Sequence, residues 1–161
     1  MRQHELLELH GRVHEALRED LLTAIEALVS QNLPEARAIF ERFDRRLSLH
    51  MRFEDDLVLP RYAAHAPSEG AGRLEHIEGD HTVLLRHVER TLVILDDLES
   101  GAPALLREIM LSLDTPLRLL NTLEHHTLRE QTHVYPVLLE QSDEAFRTTL
   151  TRKLREVLEA A

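Results

Sequence analysis

Two histidine–glutamate pairs, His50/Glu54 and His126/Glu130, carry the chemistry of this chain. His50-Met51-Arg52-Phe53-Glu54 runs on to Pro60, and His126-Thr127-Leu128-Arg129-Glu130 runs on to Pro136. Each copy reads His-x3-Glu-x5-Pro, with a valine (Val58, Val134) two residues before the proline, and the copies lie 76 positions apart. On an α-helix a step of four residues turns about 400°, so His and Glu stand one turn apart on one face. Two such faces turned toward each other present two imidazoles and two carboxylates to one point. That is the ligand set of a metal site. One pair alone would read as an ordinary surface i,i+4 pair, and one inward histidine as a hydrogen-bonded core residue. The duplication at matching positions makes metal the better reading.

These residues need helices to position them. A 3.6-residue period predicts a helix over about 4–30, with Leu6, Leu9 or His10, Val13, Leu17, Leu21, Ile25 and Leu28 on one side. Asn32-Leu33-Pro34 breaks it, with Pro34 placed for the first turn of a second helix over about 34–63. His50 and Glu54 continue the inner stripe of Ile39 or Phe40, Phe43, Leu47 and Leu57. The segment from Ala66 to Gly72 reads as a loop that divides the chain into two helical pairs. A third helix, about 72–99, aligns Leu74, Ile77, His81, Leu84, Val88, Leu92 and Leu95, and Ser100-Gly101 ends it. Pro103 begins the fourth, which carries Leu113, Leu119 or Leu120, Leu123, His126, Glu130 and Val134. Pro116 predicts a kink, or a break capped by Asp114 or Thr115. Pro60 and Pro136 read as helix terminators, and Ser142 as the cap of a last helix over about 142–159. The expectation is an all-α single domain over 1–161. Its architecture is an antiparallel up-down-up-down four-helix bundle, pairs about 4–63 and 72–136, with an additional C-terminal helix.

Composition agrees and excludes. A length of 161 residues with 43% hydrophobic residues supports a core. Apolar runs are too short for a membrane span, and no signal-peptide core follows Met-Arg-Gln-His-Glu, so a cytoplasmic protein is expected. Zero cysteines rule out disulfides, iron–sulfur clusters and thiolate sites. A net charge of −10, with arginines scattered among acids, argues against nucleic acid as a partner. The chain has eleven histidines against five glycines, a hint toward metal.

His14 and His81 fall on the inner stripes of the first and third helices, so each long helix contributes one inward histidine. Four imidazoles and two carboxylates suit a pair of first-row metal ions, with the carboxylates able to bridge them. Hard oxygen with imidazole favours iron or manganese and leaves zinc possible. Asp55, Asp56 and Glu124 are candidate acceptors for the imidazoles' second nitrogens. The order His, His-x3-Glu, His, His-x3-Glu over residues 10–137 resembles the bacterial hemerythrin-like (HHE cation-binding) family. The resemblance implies a non-haem centre of two irons per chain, oxo- or hydroxo-bridged, with His14, His50, His81 and His126 as nitrogen ligands. Glu54 and Glu130 would bridge, His14 and His50 holding one ion and His81 and His126 the other. A small diatomic or peroxide ligand would be the partner, with a homo-oligomer possible; whether there is turnover stays open.

One departure matters. Oxygen carriers of the family place two histidines four apart on the third helix, but Leu85 follows His81 at that spacing. They also use an aspartate one residue further from its histidine than Glu130 lies from His126. Fewer nitrogens point away from reversible O2 carriage and toward redox chemistry with O2, peroxide or nitric oxide. His10, one turn before His14, is the best candidate for a further ligand; His133 and then His125 follow. His4, His65, His76 and His87 read as surface residues. Tyr62 and Tyr135 read as packing residues, with Tyr135 able to hydrogen-bond near the site. Alternatives are a haem-binding bundle with axial histidines, and a non-catalytic metal-stabilised sensor or scaffold carrying zinc.

Overall fold

The computed structural model describes residues 2–101 and 106–160, with side chains from Glu5 onward. The expectations for His4 and Pro103 fall outside the described side chains. Among the described residues the chain is all-helical, with no strand. We label the helices α1 (Arg2–Val29), α2 (Leu33–Phe53), α3 (Leu59–Ala63), α4 (Leu74–Ser100), α5 (Leu106–Ser112), α6 (Asp114–Arg129), α7 (Tyr135–Gln141) and α8 (Glu144–Glu159). Two five-residue π turns, Glu54–Val58 and Glu130–Val134, join α2 to α3 and α6 to α7.

Helix ends follow from local chemistry. α1 ends where Gln31 takes a left-handed φ of 62° and the Asn32 amide reaches back to the Ala27 carbonyl, satisfying a carbonyl the helix leaves open. Asn32 then caps α2 by accepting from the Glu35 amide, with Pro34 in the first turn as expected. Pro116 produces the break and not the kink. α5 stops at Ser112 and α6 starts at Asp114, but the residue at the cap position is Leu113, with no side-chain cap bond. α8 is capped by Asp143, whose carboxylate accepts from the Phe146 amide at 2.8 Å; Ser142 closes α7 instead.

Pro60 and Pro136 do not terminate their helices. Each removes an amide donor and crowds the carbonyl four residues back. The helix widens instead of stopping: the Leu59 amide bonds to the Glu54 carbonyl and the Tyr135 amide to the Glu130 carbonyl, five residues back. Helical structure then resumes in α3 and α7.

The inner stripes pack as their period predicts. α1 packs on α2, α6 and α8, and α4 on α2 and α6. Leu17, Leu21, Leu28, Phe40, Phe43 and Leu95 fill one end of the core, and Leu6, Val58, Tyr62, Val134 and Leu138 the other. The polar cluster described below lies between these two apolar regions along the helices. The apolar face of α8 (Leu150, Leu154, Val157) is buried, with α8 packed on α1 and α2.

One buried ion pair ties α1 to α2. The Asp20 carboxylate accepts from Arg42 Nε and Nη2 at 2.9 and 2.7 Å and from Arg46 Nη1, and Arg46 is nearly fully buried. Removing the carboxylate strands a desolvated guanidinium, which is far costlier than losing an exposed pair. Asp20→Ala is expected to destabilise the protein by about 3 kcal/mol, read as a lower midpoint in urea unfolding.

Candidate metal centre

Seven titratable side chains meet inside the bundle: His10 and His14 from α1, His50 from α2, Glu54 from the first π turn, His81 from α4, His126 from α6 and Glu130 from the second π turn. All are buried; His10, His50, His126 and both glutamates are completely so. Every imidazole presents its Nε2 to a carboxylate. Glu130 Oε2 lies 3.2 Å from His10, 3.0 Å from His14 and 3.5 Å from His126. Glu54 lies 3.3 Å from His50, 3.2 Å from His81 and 3.7 Å from His126.

These approaches are close, yet most are not hydrogen bonds. Nε2 of His14, His50, His81 and His126, both oxygens of Glu54 and Oε1 of Glu130 are buried without a hydrogen-bond partner. Atoms aimed at a common centre are near one another without pointing at one another, and orphaned polar atoms are costly in an apolar core. Two sets fall within the span of a cation's ligands: His10, His14, Glu54, Glu130, and His50, Glu54, His126, Glu130. Ring separations divide the imidazoles into His10, His14 and His50 at one end (4.3 and 4.5 Å between neighbours) and His81 with His126 (4.9 Å) at the other.

The far nitrogens explain the orientation. Thr127 Oγ1 donates to the Leu123 carbonyl at 2.7 Å and so accepts from His14 Nδ1–H, also at 2.7 Å. That places the His14 proton on Nδ1 and leaves Nε2 as the bare nitrogen. His81 Nδ1 sits 3.0 Å from Asp55 Oδ1, the partner expected from sequence. His126 Nδ1 sits 3.7 Å from Asp80, which Arg129 also binds at 3.0 Å. Thr127 and Asp80 were not anticipated: Thr127 lies inside the motif but in a position open to any residue, and Asp80 needs the α4–α6 contact to be recognised. Glu124, expected to serve a histidine, pairs with Arg18.

The additional candidates separate cleanly. His10 joins the cluster, so five imidazoles are gathered there. Leu85 itself is half exposed, off the inner face. His125 is exposed. His133 is half-buried beside Gly72, where a Cβ added to the glycine would stand 3.1 Å from the His133 ring. A continuous α-helix would have kept His133 on the ligand face. The π turn carries it off that face and sets Tyr135 one turn beyond Glu130 instead. Among the expected surface histidines, His65 and His76 are exposed and His87 is half-buried.

Charge in the cluster is strongly polarised. Burial, then repulsion from Glu130, holds the Glu54 carboxyl above its usual range. Burial opposes ionisation of Glu130 too, but the His126 charge and the hydrogen bond to His10 Nε2 hold it well below. His126 is raised well above 6.5 against the burial penalty by Glu130, Asp80 and Glu54. Burial pushes His14 down to about 4, helped by His10, and burial with His14 pushes His50 down. The residues fit a metal: His14 and His50 are held neutral and Glu130 ionised, the deprotonated donors a cation requires, and the orphaned atoms of Glu54, His81 and His126 face the same centre. A cleft of about 200 Å³ lined by Gly11, Arg18, Thr127 and Gln131 comes up to His14 between α1 and α6.

The His14 shift has a defined pH consequence without metal. Its folded value lies below 6.5, so the unfolded chain takes up a proton that the folded chain refuses as pH falls. The contribution is intact above pH 6.5 and is lost between 6.5 and about 4, up to about 3 kcal/mol. Urea unfolding of metal-free protein at pH 7 and pH 5 is expected to show a larger loss for the wild type than for His14→Gln, which cannot titrate.

A family model, the Hemerythrin HHE cation binding domain, matches residues 3–138. Neither the curated proteins nor the solved structures gave a match. The matched span takes in all seven residues of the cluster and leaves out α8. The chain belongs to the hemerythrin HHE cation-binding family.

Proposed function

We propose that the protein carries a non-haem centre of two irons that handles O2, nitric oxide or peroxide. One observation carries this reading: five imidazole Nε2 atoms converge on two fully buried carboxylates, most of them without hydrogen-bond partners. His10, His14 and His50 would hold one ion and His81 with His126 the other, with Glu54 and Glu130 reaching both. Bound iron would supply one-electron redox chemistry and a coordination position for the small ligand.

The chain's own contribution is positional and electrostatic. Thr127 and Asp55 hold the far nitrogens of His14 and His81 so that their Nε2 atoms face inward, and Asp80 lies 3.7 Å from the far nitrogen of His126. Loading must displace the Nε2 proton that Glu130 and Glu54 favour on His126, so affinity falls as pH falls. The His81–His126 end carries two nitrogens against three, which favours it as the place where a small ligand enters. Apolar residues at both ends of the cluster leave the cleft at His14 as an approach to it. We read the four long arms as the antiparallel bundle that builds such sites in its core.

Haem is the weaker reading. A macrocycle needs two imidazoles facing across an apolar slot, whereas these nitrogens crowd two carboxylates at 3.0–3.7 Å. Anaerobically purified protein is expected to contain two irons per chain, with near-ultraviolet oxo-bridge bands on oxidation and no Soret band. Glu54→Ala and Glu130→Ala should each lose at least one iron. Full retention of both irons in both variants sinks the assignment.

A further inference from the structure

The two halves of the centre are related by the repeat, and they differ at two buried positions beside it. Four residues before the α1 ligand His14 stands His10; four residues before the α4 ligand His81 stands Ile77. Five residues after Glu130 stands Tyr135; five residues after Glu54 stands Leu59. All four are buried. The His10 and Tyr135 rings lie 4.0 Å apart, tilted by 45°. One half thus carries a polar pair where the other carries isoleucine and leucine, so packing alone does not require either polar group.

Tyr135 Oη is fully buried and has no hydrogen-bond partner, and neither has Oε1 of Glu130. Their backbones are already joined across the π turn, amide of Tyr135 to carbonyl of Glu130. The other buried tyrosine behaves differently: Tyr62 donates to the Gly72 carbonyl. An orphaned phenol buried in the same cluster as orphaned carboxylate oxygens is unfavourable in the metal-free protein. It becomes favourable when the carboxylate is drawn onto a cation, because a ligating carboxylate keeps a lone pair for an outer donor.

We propose that Tyr135 is a positioning residue whose hydroxyl donates a hydrogen bond to the metal-ligating carboxylate pair of Glu54 and Glu130. It fixes the carboxylate bridge at the end of the centre where its ring meets His10. This role rests on the two-metal reading above.

The test compares wild type, Tyr135→Phe and Tyr62→Phe. Melting of the metal-free proteins and Fe(II) affinity by competition with a chelator are both measured. Tyr135→Phe removes an orphaned hydroxyl, so the metal-free protein should melt higher, by about 2–4 °C. Its iron affinity should fall about 10- to 100-fold. Tyr62→Phe should melt lower and keep wild-type affinity. Unchanged iron affinity in Tyr135→Phe, or a melting loss like that of Tyr62→Phe, overturns the role while leaving the centre standing. Failure of the wild type to bind metal overturns both.

Discussion

Everything in this molecule is arranged around a group of polar atoms that have nothing but one another. Five imidazoles and two carboxylates are sealed between apolar regions, most without a hydrogen-bond donor or acceptor in line. A core accepts such a set only if something compensates it. Here the compensation is incomplete in the protein alone: one proton held on His126 and one charge held on Glu130 serve seven groups. A pair of cations would serve all of them together. The surrounding leucines and phenylalanines hold the donors close and also make leaving them unpaired expensive.

The π turns show how backbone and site depend on one another. Pro60 and Pro136 forbid the normal amide bond one turn after the ligand glutamates, and the helix answers by taking in an extra residue. The angular register shifts beyond that point. His133, which regular helical spacing would keep on the ligand face, faces Gly72, and Tyr135 arrives in its place. Side chains before the turn obey one periodicity and those after it another.

This is also where the sequence was hardest to read. The stripes that place His14, His50, His81 and His126 inward follow an uninterrupted 3.6 period, and so those residues, with Glu54 and Glu130, were legible from spacing. His10 was legible as one turn before His14. Proline in a helix normally signals an end, so the widening is not legible from sequence, and His133 falls off the face that regular spacing gives it. The outer partners divide in the same way. Asp55 lies beside Glu54 in sequence and was visible; Asp80 and Thr127 act across helix pairs and depend on packing that no local pattern encodes. Ser142 is the cap that sequence suggests, but it is the Asp143 carboxylate that reaches the Phe146 amide.

The imperfect repeat has a further meaning. If the centre were built by two identical copies of one helical pair, any residue beside one ion would appear beside the other. Histidine and tyrosine would then come twice or not at all. Joining the pairs in one chain through the 66–72 loop removes that restriction. Each side of the centre can carry its own substitutions, so one ion can be held rigidly while the other is left to exchange partners.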